Sequence, residues 1–157
     1  MLRGGTLALV ALLAACGSAD SAPDVASDSG LVSFYLLSDG SPNAMRVEAE
    51  GETLLVDSGT DITQDCFTNV ASGTNPSGSG DPVLHFTFDS DCAERFGQMT
   101  SDNIGKRFVV MVEGEHAASP FIRSPILSGQ GYIEFADDVD ATALAGRVAE
   151  RAGLEEN

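Results

Sequence analysis

Apolar residues in this chain fall in short runs separated by turns rich in glycine, serine and aspartate, and in two longer stretches with helical spacing. Short runs of β-branched and aromatic residues read as strands, and the longer period reads as helix. Residues 31–37 (LVSFYLL) predict a strand, and 38–43 a turn. Residues 45–50 alternate weakly, 51–52 turn, and 53–56 predict a second short strand, ended by Asp57-Ser58-Gly59. A short helix is expected over 61–70, with Thr60 or Asp61 as its N-cap, and a flexible loop over 72–81 (SGTNPSGSGD). In residues 82–88, Leu84, Phe86 and Phe88 face one way and Val83, His85 and Thr87 the other, as in a strand with one apolar face.

Asp89 or Ser90 then caps a helix reaching about Asn103, whose inner stripe is Ala93, Phe96, Met99 and Thr100. Gly97 costs that helix about 1 kcal/mol relative to Ala, which points to close packing. Gly105 suits a left-handed cap. Residues 108–113 (FVVMVE) are almost wholly apolar and predict a central strand buried on both faces. After a turn at Gly114 and Glu115, residues 117–123 return, and Pro120 assigns them to an edge or an irregular strand. Residues 129–131 turn, and 132–136 predict the last strand. Asp137 or Asp138 is expected to cap a final helix carrying Ala141, Leu144, Ala145, Val148 and Ala152 on one face, with Arg147 and Arg151 near its C-terminal end and Gly153 as its stop. The predicted class is α+β, a small mixed or antiparallel sheet covered by two main helices.

The N-terminal sixteen residues follow a different pattern. Arg3 supplies a positive charge, residues 6–13 are apolar, and Leu13-Ala14-Ala15-Cys16 resembles a bacterial lipobox. An apolar run this short does not cross a hydrocarbon core of roughly 30 Å, so it reads as a removable secretory segment. Residues 1–15 are therefore expected to be a lipoprotein signal peptide, with Cys16 the lipidated residue. Residues 16–30 form a tether of polar and small residues, and 31–157 form one domain. At about 0.8 kcal/mol for each buried methylene, several acyl chains hold permanently. The expected location is the cell envelope, anchored by lipid and facing the periplasm. Gly17 rather than Asp follows the cysteine, which favours the outer membrane in Gram-negative sorting.

Charge narrows the partners. The chain has 24 acidic and 8 basic side chains and a net charge of −16, which repels nucleic acid and anionic head groups. It leaves room for attraction of basic polypeptide segments. Of three cysteines, the lipobox claims Cys16, and in an oxidising compartment Cys66 and Cys92 are expected to pair as a disulfide. A loop of that size stabilises the fold by roughly 3–4 kcal/mol in the chain-entropy model. Neither cysteine has a partner at metal-ligand spacing, and neither a metal nor another cofactor is expected.

An ordered set of short segments is similar to the head subdomain in the first periplasmic loop of SecD, a subunit of the bacterial protein-export machinery. It begins with Gly59-x-x-Ile62-Thr63 and the apolar strand 82–88. The helix end Thr100-x-Asp102-Asn103-Ile104-Gly105-Lys106 follows, then the apolar strand and the Gly114 turn. Ser119-Pro120-x-Ile122-x-x-Pro125-Ile126-x-x-Gly129, Gly131-x-Ile133 and an acidic-capped Ala/Leu-rich helix complete it. The resemblance covers about residues 53–153 and implies that fold and a tendency to meet polypeptides. SecD carries its head on a multi-spanning membrane domain that couples proton flow to movement. This chain shows no spanning segment after its signal and no second periplasmic portion, so the resemblance does not carry over the motor. The expectation is a freestanding, lipid-anchored version of the head.

Other stretches of the chain resemble known chemical signatures. Leu54-Leu55-Val56-Asp57-Ser58-Gly59-Thr60 resembles the aspartic-protease signature, in which two such Asp residues share a proton. One copy is present, so a homodimer around Asp57 would be required. The competing explanation is a strand ending in a turn and helix cap. His85 and His116 read as surface or partly packed residues. No Gly-x-Ser-x-Gly elbow occurs, Gly129-x-Gly131 lacks a Rossmann context, and Asp137, Asp138 and Asp140 read as an acidic helix start rather than a calcium site. The leading expectation is a non-enzymatic envelope lipoprotein, with no catalytic residue, that binds polypeptide or an envelope protein partner, such as the translocon, as an accessory to export. The alternatives are the Asp57 protease and a purely structural envelope domain. Residues 72–81 and 114–131 are the candidate contact surfaces, with no individual binding residue singled out.

The anchor is testable directly. Cys16→Ser should block processing or release the mature domain from membranes, read by fractionation and mass of the N-terminus. An unaltered membrane fraction would count against a lipidated Cys16.

Overall fold

The computed structural model describes residues 30–49, 51–135 and 139–154; Cys16, Asp137 and Asp138 lie outside them. Among the described residues the chain runs β1 (Val32–Leu37), β2 (Ala44–Ala49), β3 (Glu52–Thr63), a 3-10 turn (Gln64–Cys66), β4 (Phe67–Thr74), β5 (Pro82–Phe88), α1 (Ser90–Asp102), β6 (Phe108–Val112), β7 (Glu115–Ala118), β8 (Gln130–Glu134) and α2 (Ala141–Arg151). This is the expected α+β class with two main helices. The strands divide into two sheets rather than one. The first has the order β2-β3-β1-β6-β7 and the second β4-β5-β8, with antiparallel pairing throughout.

Side-chain alternation decides how the sheets bury their faces. The first sheet curls until its outer strands β2 and β7 approach each other. The face inside the curl holds Tyr35, Val47, Ala49, Leu54, Val56, Val109 and Met111. The opposite face of β1 and β6 carries Val32, Phe34, Phe108 and Val110 into a second core. There they meet Leu84, Phe86 and Phe88 of β5, Phe96 of α1, and Leu144 and Val148 of α2. Phe108, Val109, Val110 and Met111 are all buried, so β6 is covered on both faces, as its unbroken apolar run predicts. On the β2–β3 hairpin the outer face is open to solvent, with Glu48 and Thr53 exposed and hydrogen-bonded to each other across the strands at 2.9 Å.

Phe34 joins the two sheets. Its ring lies 5.3 Å from Phe86, 5.8 Å from Phe88, 5.7 Å from Phe96 and 6.2 Å from Phe108, centroid to centroid. Those rings belong to the second sheet, α1 and the first sheet. Aromatic pairs in tilted and edge-to-face arrangements add about 0.5–1.5 kcal/mol each beyond their buried area. Gly131 serves the same cluster: a Cβ there would stand 2.7 Å from Cζ of Phe86, its cross-strand partner.

Two local sequence expectations fail between β1 and β4. Asp57-Ser58-Gly59 does not end a strand, because β3 continues to Thr63. The signal marks a wide bulge. Phe34 pairs with Ile62 and Leu36 with Asp57, so residues 58–61 stand opposite Tyr35 alone. Extra residues on one strand bend and twist it. No helix forms over 61–70. A three-residue 3-10 turn, capped by the Thr63 hydroxyl accepting from Asp65 N, carries the chain out of the first sheet, and β4 opens the second. Long-range pairing of β4 with β5 outweighs the weak local helical preference.

The stretch 72–81 is also more ordered than its composition predicts. β4 runs to Thr74, and Asn75 is buried. The Asn75 side chain donates to the Glu134 carboxylate on β8 and accepts from Ser77 N at 2.9 Å, an Asx turn that fixes the start of the connection. The cap of α2 is Asp140, whose carboxylate accepts from Thr142 N and Ala143 N. Asp137 and Asp138, the expected caps, precede it.

Phe34→Ala should remove the ring shared by both sheets and α1. A loss of roughly 3–5 kcal/mol is expected in urea unfolding, a large share of a typical domain's stability. A loss under about 1 kcal/mol would mean that the sheets cohere without this ring.

Candidate functional site: a strap pegged across helix α1

Between β7 and β8 the chain spans from the first sheet to the second without regular structure, over residues 119–129. Pro120 and Pro125 favour extended backbone around them, and the chain passes alongside α1, against Gly97 and Thr100. Several of its backbone groups are paired nonetheless, and Phe121 forms a single antiparallel bridge with Arg107. Phe108 N donates to Pro120 O at 3.2 Å, Gly105 N to Ile122 O at 2.8 Å, Ile122 N to Lys106 O at 2.8 Å and Phe88 N to Gly129 O at 2.8 Å.

The central peg is Thr100. It is wholly buried in the last full turn of α1. Its hydroxyl lies 2.9 Å from Phe96 O, to which it donates, and accepts from Ile126 N at 3.0 Å. A helical hydroxyl often bonds back to the carbonyl four residues earlier, and here its free lone pair captures the strap. Gly97 supplies the clearance: a Cβ there would stand 3.3 Å from Cδ2 of Leu127 and 3.6 Å from Ile126 O. The predicted close packing at Gly97 is therefore contact with the strap. Asn103 Nδ2 donates to Met99 O at 2.8 Å and closes the helix, and Gly105, with φ of 88°, turns the chain into β6.

Held this way, the strap buries Ile122 and leaves large apolar side chains in solvent. Phe121 is 61% exposed, Leu127 72%, and Ile104, at the adjoining helix end, 55%. Arg107 lies beside them. Its Nε donates to Ser119 O at 2.9 Å and its guanidinium sits 5.7 Å from the centre of the Phe121 ring. Lys106 pairs with Asp39 at 2.8 Å, and Arg123 is exposed on the strap. Exposed apolar side chains, one of them beside a cation, thus stand out on an acidic chain. Such a surface suits protein contact.

The other candidates are dispersed. Cys66 and Cys92 are joined in the structure, with Cα atoms 5.7 Å apart. Asp57 lies within the β3 ladder, opposite Leu36 and Ala44, and its carboxylate accepts from Gly59 N at 2.9 Å. His85 is half-buried in β5 beside the Tyr132 ring. His116, in β7, lies 2.7 Å from the Ser119 hydroxyl. Among the described residues no group of His, Cys, Asp and Glu could hold a metal ion, and no helix is long and apolar enough to cross a membrane. Of the two candidate contact surfaces, 114–131 contains the strap, whereas 72–81 is tied to β8 through Asn75. Sequence reasoning did not single out Ile104, Phe121, Leu127 or Arg107. The available signal was the pair Phe121-Ile122 between two prolines, because extended backbone sends consecutive side chains to opposite sides.

A curled five-stranded sheet, a second three-stranded sheet and a strap pegged on the intervening helix define an α+β domain. The model of the SecDF P1 head subdomain matches residues 37–149, and the chain belongs to that family. It is 35% identical over 98 residues to the protein translocase subunit SecD of Acetobacter pasteurianus, covering 62% of this chain and 19% of that protein. With SecD of Thermobaculum terrenum it shares 31% over 86 residues, covering 55% of this chain and 16% of the relative. With SecD of Rhodobacter capsulatus it shares 27% over 144 residues, covering 85% and 26%. The chain thus spans about a fifth of the length of these relatives. Two solved structures share the fold. One is of SecDF, described as a membrane component that enhances protein export, with a TM-score of 0.58 and 19% identity over 76% of this chain and 61% of that one. The other is SecDF in a super-membrane-facing form, with a TM-score of 0.58 and 21% identity over 78% of this chain and 19% of that one.

Thr100→Val keeps the side-chain shape and removes the peg. It should cost about 1–3 kcal/mol, the usual penalty for leaving a buried donor unpaired, and speed hydrogen exchange at Ile126 selectively. Unchanged exchange at Ile126 would show that the strap is held elsewhere.

Proposed function

We propose that this chain is a non-enzymatic domain of the cell envelope, held to a membrane through lipidated Cys16, that binds polypeptide or an envelope protein in the service of protein export. Membership of the SecDF P1 head family supports the export setting. The observation that carries the binding role is the exposure of Phe121 and Leu127 on a strap held by the Thr100 peg, with Ile104 exposed at the end of α1. Ordering the strap in advance spares a partner the entropy of fixing it. The cations beside it favour a partner that brings carboxylates to an apolar contact. A purely structural envelope domain has no need for three large apolar side chains in solvent. The protease reading gains nothing from Asp57, which lies within a paired strand with its carboxylate engaged by Gly59 N. The periplasm-facing placement rests on the lipobox and on the oxidised pair Cys66–Cys92.

Crosslinking in cells from a photoreactive group at Ser124, followed by mass spectrometry, tests the reading. Translocon subunits or exported chains are the expected products. Phe121→Ala with Leu127→Ala should reduce their yield about five-fold or more, as for truncation of contact residues worth over about 1 kcal/mol. Recovery of cell-wall or outer-membrane structural proteins alone would overturn the export link, and equal yields from the double variant would overturn the strip.

A further inference from the structure

The geometry points to Cys66–Cys92 as a thiol–disulfide exchange site rather than an inert staple, with Arg95 as the residue that makes Cys92 a leaving thiolate. The two cysteines sit at a junction. Cys66 ends the 3-10 turn between the two sheets, and Cys92 is the third residue of α1. Arg95, one helical turn beyond Cys92, places the same terminal nitrogen 3.1 Å from Cys92 Sγ and 3.4 Å from Cys66 Sγ.

That placement matters because the two redox states use the guanidinium differently. A disulfide sulfur is neutral and accepts weakly, whereas a thiolate is a strong charged acceptor. Arg95 therefore stabilises the reduced or breaking state more than the bonded one. Cys92 lies in the first turn of α1, where the partial positive charge of the helix N-terminus also favours a thiolate. Asp89 opposes both. Its carboxylate caps the helix by accepting from Cys92 N at 2.7 Å, while Asp91 and Asp65 are exposed nearby in sequence. The guanidinium is the charged group in contact with both sulfurs. Both cysteines are only 6% exposed, and the exposed Arg95 beside them marks the side nearest solvent.

The reductant is a dithiol, small or carried by a protein. Its thiolate attacks Cys66 Sγ, the bond between the two cysteine sulfurs breaks, and Cys92 leaves with the electron pair as a thiolate held by Arg95. The second thiol of the reductant then attacks the mixed disulfide, Cys66 is released and takes up a proton, and the reductant departs as its own disulfide. Two electrons enter the protein and the dithiol is oxidised. Reduction unties the junction of the two sheets from the helix that carries the strap. The exchange chemistry stands independently of what the strap binds.

Redox titration of the purified full chain tests the site. The protein is equilibrated with reduced and oxidised dithiothreitol, trapped by alkylation, and Cys66 and Cys92 are mapped by mass, with circular dichroism monitoring the fold. The wild-type pair should be reduced with the fold retained. Arg95→Met should require about tenfold more reduced dithiol to reach the same midpoint, and Arg95→Lys should recover most of the difference. An unchanged midpoint in Arg95→Met, or reduction of wild type only as the fold is lost, overturns the proposal. Should Arg95→Met not fold, Cys66→Ser provides the second measurement. Its Cys92 should alkylate at neutral pH several-fold faster than the thiol of a short peptide spanning residues 90–95, and an equal or slower rate overturns the assignment.

Discussion

The structure depends on one ring. Phe34 lies on a strand at the centre of the curled sheet and touches aromatic side chains from the second sheet, from α1 and from β6. The first sheet buries one apolar face within its own curl, but neither sheet by itself buries the face that meets Phe34. The three-stranded sheet is near the lower limit for independent stability. The face of β1 and β6 that bears Phe34 needs cover from outside the curl. Stacking the sheets through this cluster satisfies both and sets the position of α1.

Once α1 is set, the strap follows. The path from β7 to β8 must pass the helix, and Thr100 and Gly97 decide how closely. A hydroxyl buried on the inner side of a helix needs its capacity used, and the Ile126 N–H uses it. The segment 119–129 is held by this bond, by the single bridge between Arg107 and Phe121 and by a few backbone hydrogen bonds rather than by a full strand ladder. Phe121 and Leu127 are exposed because the peg and the buried Ile122 already hold the segment.

The covalent tie repeats this logic at the other end of α1. Cys66 lies where the chain leaves the first sheet, and Cys92 where the helix begins. Asp89 N also donates to Cys66 O at 2.8 Å. The helix is thus fastened at its start by a disulfide, a backbone hydrogen bond and an N-cap, and near its end by Thr100. Arg147 of α2 makes a comparable link at the surface, meeting the Glu113 carboxylate at 2.8 Å. That pair is half-exposed and of the kind that contributes little, so it positions more than it stabilises.

Wherever local pattern and final environment agree, the chain alone was enough. The alternation in 82–88, the apolar run in 108–112, the helix opened by Asp89 and the helical spacing from Ala141 to Val148 all appear as predicted, because each pattern states which faces are to be buried. The SecD-like order of short segments was legible for the same reason: Thr100, Gly105 and Pro120 answer local backbone needs. Tertiary structure decided what depends on partners distant in the chain. The apolar residues of 62–70 are compatible with a helix until Val70 meets Phe86 across a strand pair. Asp57-Ser58-Gly59 reads as a break until β1 pairs on both sides of the bulge. The division into two sheets and the approach of Arg95 to Cys66 carry no local signal. Nor does the exposure of Phe121 and Leu127, since hydrophobic residues state a preference for burial and only the competition for a finite core decides which of them are left outside.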